Sequence, residues 1–114
     1  RRKNMALSSN VKQTIPLTAD GLARKYAGTT TVVITKARIQ GVYGQASAAD
    51  AEIKIYDEAT SDKTASKLVF HVKFSNADNH GQSFEVPGDG IKCDAGMYVD
   101  VTNCDFCTIT GTFT

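Results

Sequence analysis

Three groups of residues in this chain have the types and spacing to do chemistry. Cys104 and Cys107, in "NCDFCTITG", are spaced as Cys-x-x-Cys. Such a pair exchanges disulfides when it opens a helix, and supplies half of a tetrahedral zinc site when other ligands converge on it. His80 follows Asp78 in "NADNHGQ", and His71 stands in "KLVFHVKF"; a histidine oriented by a carboxylate is the usual general base. Asp89, Asp94 and Asp100 are close in sequence and are the hard oxygen donors that calcium takes. Whether any of these can act depends on the elements that hold them.

Alternation of apolar and polar residues dominates the chain and predicts strands with one buried face. In "AEIKIYD", Ala51, Ile53 and Ile55 point one way and Glu52, Lys54 and Tyr56 the other. In "KLVFHVKF", Leu68, Phe70, Val72 and Phe74 share a face opposite Lys67, Val69, His71 and Lys73. The same pattern runs through "VKQTIPL" (Val11, Ile15, Leu17), "QSFEV" (Phe84, Val86) and "GMYVDVT" (Met97, Val99, Val101). "TTVVITKARIQGVY" is β-branched, and Val32, Val33 and Ile34 in a row predict cover on both sides there. "VPGDG" is a tight reversal, while "EATSDKTAS" and "SNADNHG" are small, polar surface loops. About eight short strands with polar loops and no placeable helix predict an all-β, single-domain antiparallel β-sandwich of jelly-roll type.

That frame weighs against each chemistry. Side chains three apart in one regular strand face opposite sides, so Cys104 and Cys107 do not converge there. The expected arrangement is a hairpin reversal at Asn103, Cys104 and Asp105, with Cys107 joining Ile109 and Phe113 inside and Thr108, Thr110 and Thr112 outside. No helix follows to lower a thiol pKa. Cys93 alternates with Ile91 and reads as core, so zinc lacks its remaining ligands. Three cysteines cannot all pair, and buried free thiols are expected, with one disulfide left open. His71 lies between lysines on a polar face, His80 in a solvated turn. The aspartates lack the dense spacing of a calcium loop, and "GDG" has no strand-to-helix context for a phosphate. The expectation is a non-enzymatic protein without metal or cofactor.

Composition narrows the partners. A length of 114 residues is one domain's worth, divided here as a flexible arm over residues 1–10 and a sandwich over 11–114. The 13 cations and 12 acids give a net charge of +1, too weak a field to call for nucleic acid. Arg1, Arg2 and Lys3 carry the excess, either as a mobile tail or as a basic arm for an acidic neighbour. No apolar run approaches the roughly 18 residues of a membrane span, and no signal-peptide pattern is visible, so the chain reads as soluble. Tyr56 and Tyr98 fall on predicted outer faces, where rings cover sugars in carbohydrate-binding sandwiches, although the chain has no tryptophan. Outer faces of Thr, Ser, Lys and short acids with isolated large residues such as Val69 and Tyr98 suit lateral contact with other protein chains.

The order of "KQTIPLTADG", "VVITKARIQGVYG", "AEIKIYDEATSDK", "KLVFHVKF", "FEVPGDGIKCDAGMYVDVTN" and "CTITGTF" resembles small all-β virion proteins of tailed bacteriophages, of the cyanophage and marine-phage type. The likeness runs from Thr14 onward and is most specific in "VPGDGIKCDAGMYVDVTN", a turn, a Gly-Ile strand start and a Gly-x-Tyr-Val strand. It implies a capsid cement or decoration protein on the outside of an icosahedral shell, or else a head–tail or tail component. It further implies the major capsid protein or other virion proteins as partner, a homo-oligomer with the trimer favoured, and a place in virions assembled in the host cytoplasm. The cysteines and the charged "YDEATSDKTAS" loop depart from the pattern, and no functional residue transfers. Candidate contact residues are therefore Arg1, Arg2, Lys3, Tyr56 and Tyr98, with a β-sandwich carbohydrate-binding module as the alternative.

Overall fold

The computed structural model describes residues 12–75 and 81–114, and within them the chain is an antiparallel β-sandwich. Eleven strands follow in order: β1 (Lys12–Gln13), β2 (Gly21–Leu22), β3 (Arg24–Ala27), β4 (Thr30–Val33), β5 (Ala37–Ala46), β6 (Ala51–Tyr56), β7 (Leu68–Phe74), β8 (Gly81–Glu85), β9 (Ile91–Cys93), β10 (Tyr98–Thr102) and β11 (Cys104–Phe113). One layer, sheet A, has the order β1-β11-β5-β8, with β9 also on β5; the other, sheet B, has the order β2-β10-β6-β7. β3 and β4 form a separate ribbon.

The alternating residues build the core as their spacing predicts. Ala51, Ile53 and Ile55 from β6, Val99 from β10, Met97 just before it, and Ile39, Cys107 and Ile109 from β5 and β11 are all fully buried. Burying one such aliphatic side chain stabilises the fold by about 1.5–3 kcal/mol, so this set is the main source of cohesion between the layers. Gly44 lets them close: a Cβ there would lie 2.7 Å from Ile53 Cδ1 and 3.0 Å from Phe74 Cζ. The reversal "VPGDG" uses its glycines as expected, with φ of +70° at Gly88 and +90° at Gly90.

Several expectations need correction. "TTVVITKARIQGVY" is not one strand: it breaks after Val33, and Val32 is 37% exposed because the β3–β4 ribbon is covered on one side at most. The first strand shrinks to Lys12–Gln13, although Leu17 still reaches the core through a lone bridge to Cys107; Val11 lies outside the described residues. In β7 a bulge sets Leu68 opposite Tyr56 while Phe70 stays opposite Ile55, so Val69 is the extra residue. Leu68 is thereby turned out of the core, 37% exposed. Finally, "MYVDV" and "FCTITGTFT" are not a hairpin. β10 belongs to sheet B and β11 to sheet A, and Asn103 alone, at φ +54°, carries the chain from layer to layer. Its side-chain amide donates to the Ala49 carbonyl at 3.0 Å, tying this crossing to the neighbouring β5–β6 connection.

Candidate functional site

The cysteines come first, because their geometry departs from the rule of alternation. Cys104 faces Ala46 and Cys107 faces Gly44 on β5, while Phe106 faces Gln45, so Asp105 is an extra residue bulged out of β11. Ala46 and Gly44 are two apart and share the inner face, so the bulge puts both thiols on that face too. A spacing of two strand residues is about 6.6 Å, near the long limit of a disulfide. All three cysteines are free thiols. Burial pushes Cys93 and Cys107 up to about 12, and burial likewise raises Cys104 despite its contact with the Glu52 carbonyl. A thiol in this state is neither a good nucleophile nor a ready metal ligand.

The aspartates also fail to meet as a group. Asp94 goes to Lys92, 3.7 Å away, and Asp100 to Lys63 at 3.5 Å. Among the described residues, His, Cys, Asp and Glu form no cluster of three or more. His71 contacts the Glu52 carboxylate on the outer face of sheet B, and that hydrogen bond is the main reason Glu52 is held below the usual carboxylate range. Asp78 and His80 lie outside the described residues.

Tyr56 and Tyr98 do share the outer face of sheet B, since they are cross-strand partners, but they are not available there. They are only 6% and 8% exposed. The polar loop 57–67 accounts for this, because it is fastened back across that face. Its Lys63 bridges Asp20 at 3.0 Å and Asp100 at 3.5 Å, and Asp100 lies beyond Val99 from Tyr98. Asp57 accepts the Ala95 amide at 2.7 Å, and the buried Glu58 carboxylate accepts the Thr64 amide at 3.1 Å. Glu58 was hidden from sequence reasoning, since a buried acid inside a polar loop leaves no periodic trace. Arg1, Arg2 and Lys3 lie outside the described residues.

One accessible feature is an edge of sheet B. Among the described residues β7 pairs with β6 on one side and with nothing on the other. It offers a seven-residue row of backbone donors and acceptors, with Leu68 exposed and Val69, Phe70 and Val72 half-buried beside it. Such an edge is a template for another chain. Lys67, His71 and Lys73 are the polar side chains that flank it. No protein-family model, curated protein or solved structure matches this chain, so its function has to be argued from these surfaces and from the residues themselves.

Proposed function

We propose that this chain is a non-enzymatic virion structural protein that acts as cement on the outside of an icosahedral capsid. The observation that carries the reading is the open β7 edge, whose exposed Leu68 and half-buried valines and phenylalanine suit lateral contact with neighbouring chains. The resemblance of "VPGDGIKCDAGMYVDVTN" to small phage virion proteins is in keeping with it. The strand order supports reading the sandwich as a jelly roll. Setting aside β3, β4 and β9, the eight remaining strands run first-eighth-third-sixth in one layer and second-seventh-fourth-fifth in the other, as two nested Greek keys do.

The mechanism is physical. A cement protein spans seams between shell subunits and binds the assembled shell better than its parts, so it stabilises the shell by mass action. Many attachment points make weak individual contacts sufficient. A homo-oligomer, with three copies favoured, supplies that multivalency, and the major capsid protein is the expected partner. Tyr56 and Tyr98 are buried, which favours this reading over a sugar-binding one.

The test is the copy number of this chain in gradient-purified virus particles, measured by quantitative mass spectrometry against the major shell protein. A simple fraction of the shell protein is expected. A handful of copies would move the protein to the neck or tail, and absence from the particles would end the virion reading.

A further inference from the structure

One end of sheet A gathers cations with almost no acid to answer them. A cleft of about 490 Å³ is lined by Lys12, Lys36, Arg38 and Lys92, with Asp94 as its one acidic side chain. An adjoining hollow of about 400 Å³ shares Lys12 and Phe113 and adds Lys25 and Tyr26. Five of the ten lysines and arginines in the described residues thus lie along one continuous surface. The fold enforces part of this crowding: Arg38 on β5 stands directly opposite Lys92 on β9, and opposite Thr112 on its other side. Like charges in directly opposed positions repel, so the arrangement is unfavourable in the free protein.

Little in the chain offsets it. Lys92 has Asp94 at 3.7 Å, but both are 64% exposed, and such a pair contributes little. Among the described residues, Lys12, Lys25, Lys36 and Arg38 have no ion-pair partner. The Arg38 guanidinium reaches only the Asp89 carbonyl, at 3.5 Å. Beside these charges stands Tyr26, 68% exposed, an aromatic side chain with no packing role to explain its position.

We propose that this end of the sandwich docks a carboxylate-rich segment of a partner protein. The strands β9, β5, β11 and β1 lie side by side, so the cations from Lys92 to Lys12 extend over about three strand spacings, roughly 14 Å. A lone small anion would engage only part of that row and none of Tyr26. An extended acidic segment uses it all, with carboxylates on the cations and apolar atoms on Tyr26 and Phe113. Nucleic acid fits less well. The described residues hold ten cations against eleven acids, so a long phosphate backbone would leave the patch for a surface that repels it. This inference stands apart from the virion reading, because it is tested on the isolated protein.

The experiment is fluorescence anisotropy of a fluorescein-labelled oligo-glutamate peptide titrated with the full chain, alongside a labelled oligo-thymidine. Saturable, salt-sensitive peptide binding is expected. It should weaken about tenfold or more in the double variant Lys36→Gln/Lys92→Gln, and stay unchanged in the control Lys67→Gln/Lys73→Gln, which removes the same charge elsewhere. Thermal melting shows whether each variant folds; should the first double variant not, Lys12→Gln on the short edge strand β1 takes its place. Absence of saturable binding, equal loss in the control variant, or tighter binding of oligo-thymidine would overturn the proposal.

Discussion

Cys93 and Cys107 set the protein's response to alkali. Their folded-state pKa values of about 12 lie above those of a solvated thiol, so the folded state keeps protons that the unfolded state releases. Their contribution to stability is complete below the ordinary thiol range, and is lost as pH rises from about 8.5 toward 12. Lys63 acts in the same direction, because the Asp20 carboxylate raises it and its share is lost as pH climbs through its folded value. Urea denaturation between neutral pH and pH 10 should therefore show stability falling with pH, and Cys107→Ala should flatten that slope while lowering stability at neutral pH. A thiol reagent at pH 8 should modify Cys104 first in the native protein, and reach Cys93 and Cys107 only at the rate of unfolding. Rapid labelling of all three would contradict the burial of Cys93 and Cys107.

At the scale of elements, the loop 57–67 and the strand β7 each make a separable prediction. Burial alone would raise Asp20, but the Val101 amide at 2.8 Å and the Lys63 ammonium outweigh it and hold its pKa low. Glu52 is lowered as well, chiefly by His71. Depressed carboxylates stabilise the fold above their unfolded values near pH 4, and that share disappears as pH falls through the folded values. Melting temperature should thus drop on acidification below about pH 4, and Asp20→Asn should lower it at neutral pH and reduce the acid dependence. The same variant should raise the exposure of Tyr98, read as tyrosine fluorescence quenching by acrylamide. For β7, Leu68→Glu should leave the unfolding free energy within about 0.5 kcal/mol of the parent, since the side chain is already turned outward, yet weaken association measured by light scattering. The element scale is also where sequence reading stopped. Strands β6, β7, β10 and β11 were legible because Ile, Val and Phe recur along them at period 2. The bulges at Val69 and Asp105 were not, since an extra residue in a ladder demands no particular side chain. The bulge at Val69 turns Leu68 away from the core face expected of it, and the bulge at Asp105 sets Cys104, expected in a reversal, on the inner face of β11. Burial of Tyr56 and Tyr98 was equally hidden, because the cover comes from a polar loop whose fastening depends on Asp20, distant in sequence.

For the molecule as a whole, connectivity decides how the fold is reached. The central strands of sheet A are β5 and β11, and β11, at the end of the chain, is bounded by β1 from its beginning. Thr14, 2% exposed, shows how tightly the two ends are joined: its amide donates to the Ile109 carbonyl at 2.9 Å, and its hydroxyl oxygen accepts the Ile109 amide at 3.1 Å. Sheet B repeats the pattern, with β10 set between β2 and β6. Neither layer can complete its centre until distant segments have met, and that entropy is lost before most of the core contacts form. Folding should therefore be slow for a domain of this size, on the order of milliseconds to seconds, and cooperative, with tyrosine fluorescence and far-ultraviolet dichroism changing together. Removing the residues from Thr108 onward should abolish folding altogether, because it takes away Ile109, one of the fully buried core side chains, and the partner strand of both β1 and β5. Stopped-flow refolding of the full chain and dichroism of the truncated one measure both. A truncated protein that kept a cooperative melt would show that sheet B carries the stability alone, and the two-layer account of the core would have to be rebuilt around it.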